Sequence, residues 1–414
     1  MGGNQSISPG LVQTVLANTA LQWESTRIIN FAVEVAILKN RLIAEIDVYD
    51  KLTDGILYRP TIYHTLGTKS GPLENIAEVS NKGVEISLGW NDKIGHFSYN
   101  MRGNFTFNKN SVTKYRGKLE RGWITDDDGR RVYQSNIGDV STGGGTRVIE
   151  DKIINEWYLQ SVYQGNQTYI NSDGSVNING GPKDGMIRTE QDMEWLQAMR
   201  NAGYEFYPSQ SIGKANLWYG DYIYADTNGD GIYGNDYDND FQNSSNLPKY
   251  NFGFQTYASW KNFDFSMNWT GAAGFKLYWC ELGKNSPTTS LGYAIPKSLS
   301  RDRYFYDSDN PNDPRTNLTS QTPRIKHTAG GGQNTVGSNL WLEKGDYLKL
   351  RNITLGYNLP ENILSKMYAQ NIRFFVSGEN LFIITKFSGM DPEMRTAFGY
   401  VTMRQFAFGV NVTF

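Results

Sequence analysis

The sharpest chemistry-bearing run in the 414-residue chain is "DTNGDGIYGNDYDND", which begins at Asp226. Asp226, Asn228 and Asp230 stand at positions 1, 3 and 5 of a calcium loop, Gly231 at position 6 where such a loop turns sharply, and Ile232 offers a carbonyl at position 7. Hard divalent cations need oxygens clustered in this way. Position 12 is Tyr237, not a bidentate acid; Asp236 and Asp238 flank it, and no helices clearly frame the run. The expected calcium ligands are Asp226, Asn228, Asp230, Ile232 and Asp236, with the twelfth ligand displaced. The competing reading is an Asx-rich turn that hydrogen-bonds its own backbone.

Other groupings do not support catalysis, and the chain reads as a non-enzyme. His64, His96 and His327 are too dispersed to form a metal set. Ser211 and Lys214 have the spacing of an acyl-enzyme pair but lack its companion elements. "STGGGTR" and "AGGGQN" lack the Lys-Ser/Thr that grips phosphate, and Asp126–Asp127 reads as a solvated pair. Cys280 is alone, which excludes an intramolecular disulfide. Trp123, Trp157, Tyr158, Trp195 and Trp218 could stack on sugar rings, although packing within loops is the expected role for most of them.

The elements that must carry these residues are strands. In the terminal "RQFAFGVNVTF", Phe406, Phe408, Val410, Val412 and Phe414 alternate with small or polar residues, which marks a strand with two different faces. Similar runs begin near Ile29, Leu42, Val84 and Phe97. The clearest pair is "YNFGFQTYASW" and "FDFSMNWTG", where Phe252, Phe254, Phe263, Phe265 and Trp269 share a face opposite Asn251, Gln255, Asp264, Ser266 and Asn268. "PENILSKM" is expected to form a short helix starting at Pro360. Tight turns alternate with long connections at 108–156, 165–217 and 281–340, rich in Gly, Asn, Asp, Ser and Thr. Connections of that length are unusual inside compact soluble domains and usual on one side of a membrane barrel.

Composition agrees without deciding. There is no run of eighteen apolar residues, so no transmembrane helix is expected. A mean hydropathy of −0.53 still suits barrel strands, which are only half apolar. The 14% aromatic content suits either the aromatic girdles of a barrel or a carbohydrate-binding β-protein. A net charge of −2 gives no basic field for nucleic acid. The opening "MGGNQSISPGLVQTVLANTA" lacks a charged leader with a continuous apolar core.

Seven segments occur in a recognisable order: "LQWESTRIINFAVEVAILKNRL", "NIAEVSNKGVEISLGW", "GDYIYADTNGDGIYGNDYD", "LPKYNFGFQTYASWKNFDFSMNWTG", "YLKLRNITLGYNLPENIL", "FFVSGENLFIITKFSGMDPE" and "FGVNVTF". Together they resemble the C-terminal portion of SusC/RagA-type TonB-dependent outer-membrane transporters, from about Leu21 to Phe414. The resemblance implies an all-β, antiparallel transmembrane barrel portion over 21–414, after a poorly structured start at 1–20, without a plug domain. About a dozen strands are expected, too few for the family's barrel of roughly 22. It further implies outer-membrane import of oligosaccharide or peptide in a Gram-negative bacterium, a SusD-like lipoprotein and TonB as partners, and contact with lipid. Phe406, Phe408 and Phe414 would form the terminal assembly signal of such barrels. The alternative is a soluble or surface-exposed β-protein that binds glycans and calcium, its apolar stripes packed into a core.

Overall fold

A computed structural model of the chain describes residues 18–59, 71–140, 145–279, 297–326, 332–394, 400 and 402–414. Residues 1–17 of the expected start, His64, Cys280 and His327 lie outside them, as does part of each Gly-rich run.

Among the described residues nine strands form the main sheet, and their order in the sheet is their order in the chain. They are β1 (Ser25–Ile37), β2 (Leu42–Tyr58), β3 (Glu74–Ile94), β4 (Phe97–Lys114), β5 (Tyr250–Trp260), β6 (Phe263–Ala273), β7 (Tyr347–Asn358), β8 (Asn371–Thr385) and β9 (Gln405–Thr413). About a dozen wall strands were expected and the main sheet has nine among the described residues; shorter strands pair among themselves in the connections, such as Arg121–Thr125 with Arg131–Ser135. Short links (38–41, 95–96, 261–262 and 359–370) alternate with long ones (59–73, 115–249, 274–346 and 386–404). The helix expected after Pro360 is present as Glu361–Leu364, with Pro360 as its cap.

Register explains the two faces. Phe254 sits opposite Trp269, Ala258 opposite Phe265 and Trp260 opposite Phe263. Phe265 then faces Leu355 and Phe263 faces Tyr357. Leu355 and Tyr357 continue to Val376 and Phe374, and these to Phe408 and Val410. A period of two carried across antiparallel neighbours gathers most of the large apolar side chains on one side, while Phe375, in register with Gly356 and Gly409, lies on the other. The apolar side is uncovered: Phe254, Trp260, Phe263, Leu355, Phe374, Phe408 and Val410 are all exposed. A core-packed sandwich would bury them; a transmembrane barrel presents them to lipid. The other side carries Arg102, Asn104, Gln255, Asp264, Ser266, Asn268, Thr354 and Arg373.

By its contacts the chain divides into two compact units. One comprises Met1–Val33, Asp47–Val84 and Asn108–Ile154. Its core is Ala77, Val79, Val112 and Tyr115, with Ile56, Tyr58 and Ile154 packed against them. The other comprises Glu34–Ile46, Glu85–Phe107 and Asn155–Phe414. It contains β5 to β9 and a lobe folded from the long connections. The lobe's main core joins Tyr163, Ile187, Trp195, Leu196, Met199, Phe206, Leu217, Ile223 and Tyr233.

Candidate functional site

The lobe brings together most of the residues that the sequence marks for chemistry. Helix α1 (Glu190–Asn201) starts at Thr189, whose side chain and that of Asp192 cap each other's backbone, an arrangement that satisfies two otherwise unpaired amides. The helix drives Trp195 into the core, 2% exposed, where it stacks on Tyr163 at 5.5 Å. Its indole N–H donates to the Asn177 carbonyl at 2.8 Å. Trp195 is therefore a packing residue. So is Tyr158, buried against Phe241. The Trp157 indole donates to the Lys276 carbonyl at 3.0 Å, and Trp123 lies beneath the Arg131 guanidinium at 4.5 Å. Of the five aromatic candidates, Trp218 remains half-buried on the wall of a cavity.

That cavity, about 600 Å³, has an aromatic wall of Trp218, Tyr219, Tyr304 and Tyr306. Trp218 and Tyr219 meet edge to face at 5.3 Å, and Tyr219 and Tyr306 at 5.1 Å. Lys214, Arg303 and Arg324 also line it, with Asp307 as the one acid. Arg324 grips the fully buried Asp221 in bidentate fashion, at 2.8 and 2.7 Å. The Lys326 ammonium lies 3.1 Å from the same carboxylate. Burial lowers the Lys326 pKa, while the Asp221 charge works against that fall. Lys214 pairs with Asp309 at 2.6 Å, with both side chains exposed.

A second cavity of about 720 Å³ opens beside Met186 and Tyr222. Its polar lining includes Gln164, Gln167 and Gln321, together with Asp184 and Arg188, which pair at 2.6 Å. Arg188 also donates to the carbonyls of Leu318 and Ser320, both at 2.7 Å, and so ties the two long connections together.

The Asp226 run folds as a tight loop. Asp226 accepts from the amides of Gly229 at 2.7 Å and Gly231 at 2.9 Å. Asp230 accepts from the Ile232 amide at 2.8 Å and from the Asn235 side chain at 2.6 Å, while Asn228 donates to it at 3.1 Å. Gly231, at φ +83°, holds the left-handed turn that its position requires. Asp226, Asn228 and Asp230 thus come together, and Ile232 pairs with Glu205 in a short parallel bridge. Asp236 is exposed. The acid at the centre of the loop is Asp238, fully buried, which accepts from the amides of Thr227 at 2.7 Å, Gly234 at 2.8 Å and Asn235 at 3.0 Å. Burial pushes its carboxyl up to about 6, against the pull of those amides. Only a loop one residue longer than the calcium template would have singled it out. Among the described residues, no group of three or more His, Cys, Asp or Glu side chains gathers as a metal set.

The inner face of the sheet has its own polar fittings. Arg373 holds Asp264 through two bonds, 2.9 and 2.5 Å, at the end near the short links. Gly356 makes room: a Cβ there would lie 2.5 Å from both Arg373 Nη2 and Asp264 Oδ1. Further along, the strands slip by one residue around Arg351, a bulge that allows Lys349, Arg351 and Asn352 to share this face. Lys349, 3% exposed at its side chain, donates to Asp391 at 2.8 Å and Glu393 at 3.0 Å. Arg351 pairs with Glu393 as well, and Tyr347 donates to it at 2.8 Å. This cluster pins the connection after β8 against the wall.

The chain matches known proteins along nearly its whole length. The family described as "TonB dependent receptor-like, beta-barrel" matches residues 2–185. TonB-dependent receptor P3 of Formosa agariphila is 24% identical over 100% of this chain and 36% of its own length. TonB-dependent receptor SusC of Bacteroides thetaiotaomicron is 23% identical over 96% of this chain and 32% of its own.

The chain is similar to the β-barrels of TonB-dependent receptors of the SusC/RagA type.

The structure of the RagAB peptide transporter shares the fold of this chain, with a TM-score of 0.65 at 18% identity, over 95% of this chain and 36% of that one. The chain spans about a third of the length of the relatives it matches. Phe406, Phe408 and Phe414 lie exposed at its last strand, where β9 has β8 as its partner.

Proposed function

We propose that this chain is the wall and outer lobe of an outer-membrane importer that takes up oligosaccharides or peptides. The observation that carries the reading is the two-faced meander: uncovered aromatics on one side, paired charges and amides on the other. Lipid accounts for the first face and a watery lumen for the second. The same uncovered face argues against a soluble glycan-binding domain. In this reading the chain works with further barrel strands, a SusD-like lipoprotein over the lobe and TonB as the source of energy. It is not competent alone, because β1 and β9 would otherwise leave unpaired backbone groups in lipid. SusC and RagAB, by their names a TonB-dependent receptor and a peptide transporter, support this assignment without choosing the cargo.

The test is genetic. Deletion of the coding region from its host should abolish growth on, or uptake of, at least one oligosaccharide or peptide mixture, and a disrupted TonB should give the same defect. The protein should fractionate with the outer membrane. Normal uptake across a broad panel, or recovery in the soluble fraction, would refute the proposal.

A further inference from the structure

We propose that the cavity walled by Trp218 and Tyr306 binds an acidic sugar, a pyranose that carries a carboxylate, within an oligosaccharide. The inference deepens the import reading by naming a cargo class, and it rests on that reading for its biological role.

Three observations converge. The first is charge. Lys214, Arg303 and Arg324 line the cavity with Asp307; Asp309 takes up Lys214, which leaves Arg303 and the Arg324 cluster as the source of positive charge. Arg324 and Lys326 share a single buried carboxylate, Asp221, so that cluster keeps an excess positive charge. Arg303 bonds the Ser300 carbonyl and lies 5.8 Å from the Phe305 ring, and among the described residues it has no carboxylate within ion-pair distance. A guanidinium offers parallel donors that match a carboxylate in bidentate fashion.

The second is shape. The Trp218, Tyr219 and Tyr306 rings form a continuous wall of edge-to-face contacts, and such π-faces attract the polarised C–H face of a sugar ring. The third is unspent hydrogen-bonding capacity. Among the described residues, the Trp218 indole N–H and the Tyr219 and Tyr306 hydroxyls have no partner. Ring hydroxyls beside the stacked face would satisfy them. A run of glutamates could meet Arg303 but would supply neither the stacking face nor the hydroxyls. At about 600 Å³, the cavity admits a short oligosaccharide segment.

The experiment is calorimetric titration of the protein, purified at its natural length in detergent, with trigalacturonic acid. Its methyl ester, neutral maltotriose and triglutamate serve as comparison ligands. Trigalacturonic acid should bind best, and the ester and maltotriose at least about tenfold more weakly, the size of one lost charge-assisted contact. Arg303→Gln should bring trigalacturonic acid down to the level of its ester, whereas Arg303→Lys should retain part of the difference. Trp218→Ala should weaken the acid and the ester alike. Near-ultraviolet circular dichroism, dominated by the buried aromatic core, checks that each variant is folded. Equal binding of acid and ester, equal binding of triglutamate, or an unchanged affinity in folded Arg303→Gln would each overturn the proposal. A receptor that imports maltotriose or peptides but does not bind trigalacturonic acid would lose this inference alone. One that binds the acid but imports nothing would lose the import reading alone.

Discussion

Consider an arginine placed at Met267, at Asn268 and at Phe263 in turn. All three lie on β6, eleven residues long. At about 3.4 Å per residue and a tilt near 45°, such a strand rises roughly 26 Å, about the height of a barrel's apolar band. Its midpoint is Asn268. Met267 faces outward, between Thr256 and Ile353 of its neighbours. Asn268 faces inward, between Gln255 and Asn352. Phe263 faces outward beside the 261–262 link, at the membrane boundary. Arginine at a mid-bilayer lipid position costs about 2–4 kcal/mol and near the interface about 0–1 kcal/mol. Met267→Arg should therefore cost about 2–4 kcal/mol, and Phe263→Arg and Asn268→Arg each about 1 kcal/mol or less. The assay is equilibrium unfolding in guanidinium of the natural-length protein folded into phosphatidylcholine vesicles. A cost at Asn268 equal to or above that at Met267 would refute the face assignment. Equal costs at Met267 and Phe263 would refute the depth assignment.

Gly356→Ala should strain the Asp264–Arg373 pair and destabilise the barrel by about 1–2 kcal/mol, with Gly356→Ala in an Asp264→Asn background costing less; an additive double mutant would show that the two positions do not communicate. Burial opposes the Asp391 carboxylate, but the Lys349 ammonium and the Thr402 hydroxyl outweigh it and hold its pKa below the ordinary value. The tie to β7 should therefore be complete above about pH 4 and lost as pH falls below the ordinary carboxylate range; protease cleavage within 386–404 should rise in acid in the wild type, and at neutral pH in Lys349→Met. Calcium binding by the Asp226 loop is our proposal: titration should give weak or moderate affinity, lost in Asp230→Ala, and identical titrations would leave the turn reading alone. Removal of Phe414 should slow insertion into the outer membrane, measured as the fraction of heat-modifiable barrel on gels.

Strand identity was legible because period-two alternation survives wherever one face meets lipid. Phe252 to Trp260 and Phe263 to Trp269 needed no tertiary information, and Pro360 marked its helix by fixed φ alone. The lobe was not legible. Its core residues, Tyr163, Ile187, Trp195, Phe206 and Ile223, are scattered among Gly, Asn and Asp with no period, so they read as loop; only their meeting in space makes them a core. Helix α1 was hidden because its apolar positions, Met193, Leu196 and Met199, are interrupted by charged residues. Trp195 and Trp218 looked equivalent in sequence, and the helix decides between them by turning one inward. Asp238 escaped because the calcium template fixes attention on the position before it.

The meander has a consequence for the order of events during biogenesis. Short links join β1 to β2, β3 to β4, β5 to β6 and β7 to β8, so these hairpins can zip up locally and early. The lobe is wired differently. Asp221 bonds Arg324 and Asn334, and Arg188 reaches Leu318 and Ser320, so its halves lie on opposite sides of the β5–β6 hairpin in the chain. The lobe can lock only after that hairpin has crossed the bilayer and the second half has emerged. Slow loop closure then makes lobe completion the last step on this stretch, and a stalled hairpin would leave Tyr222, Tyr304 and Trp341 bare to the proteases and chaperones of the compartment.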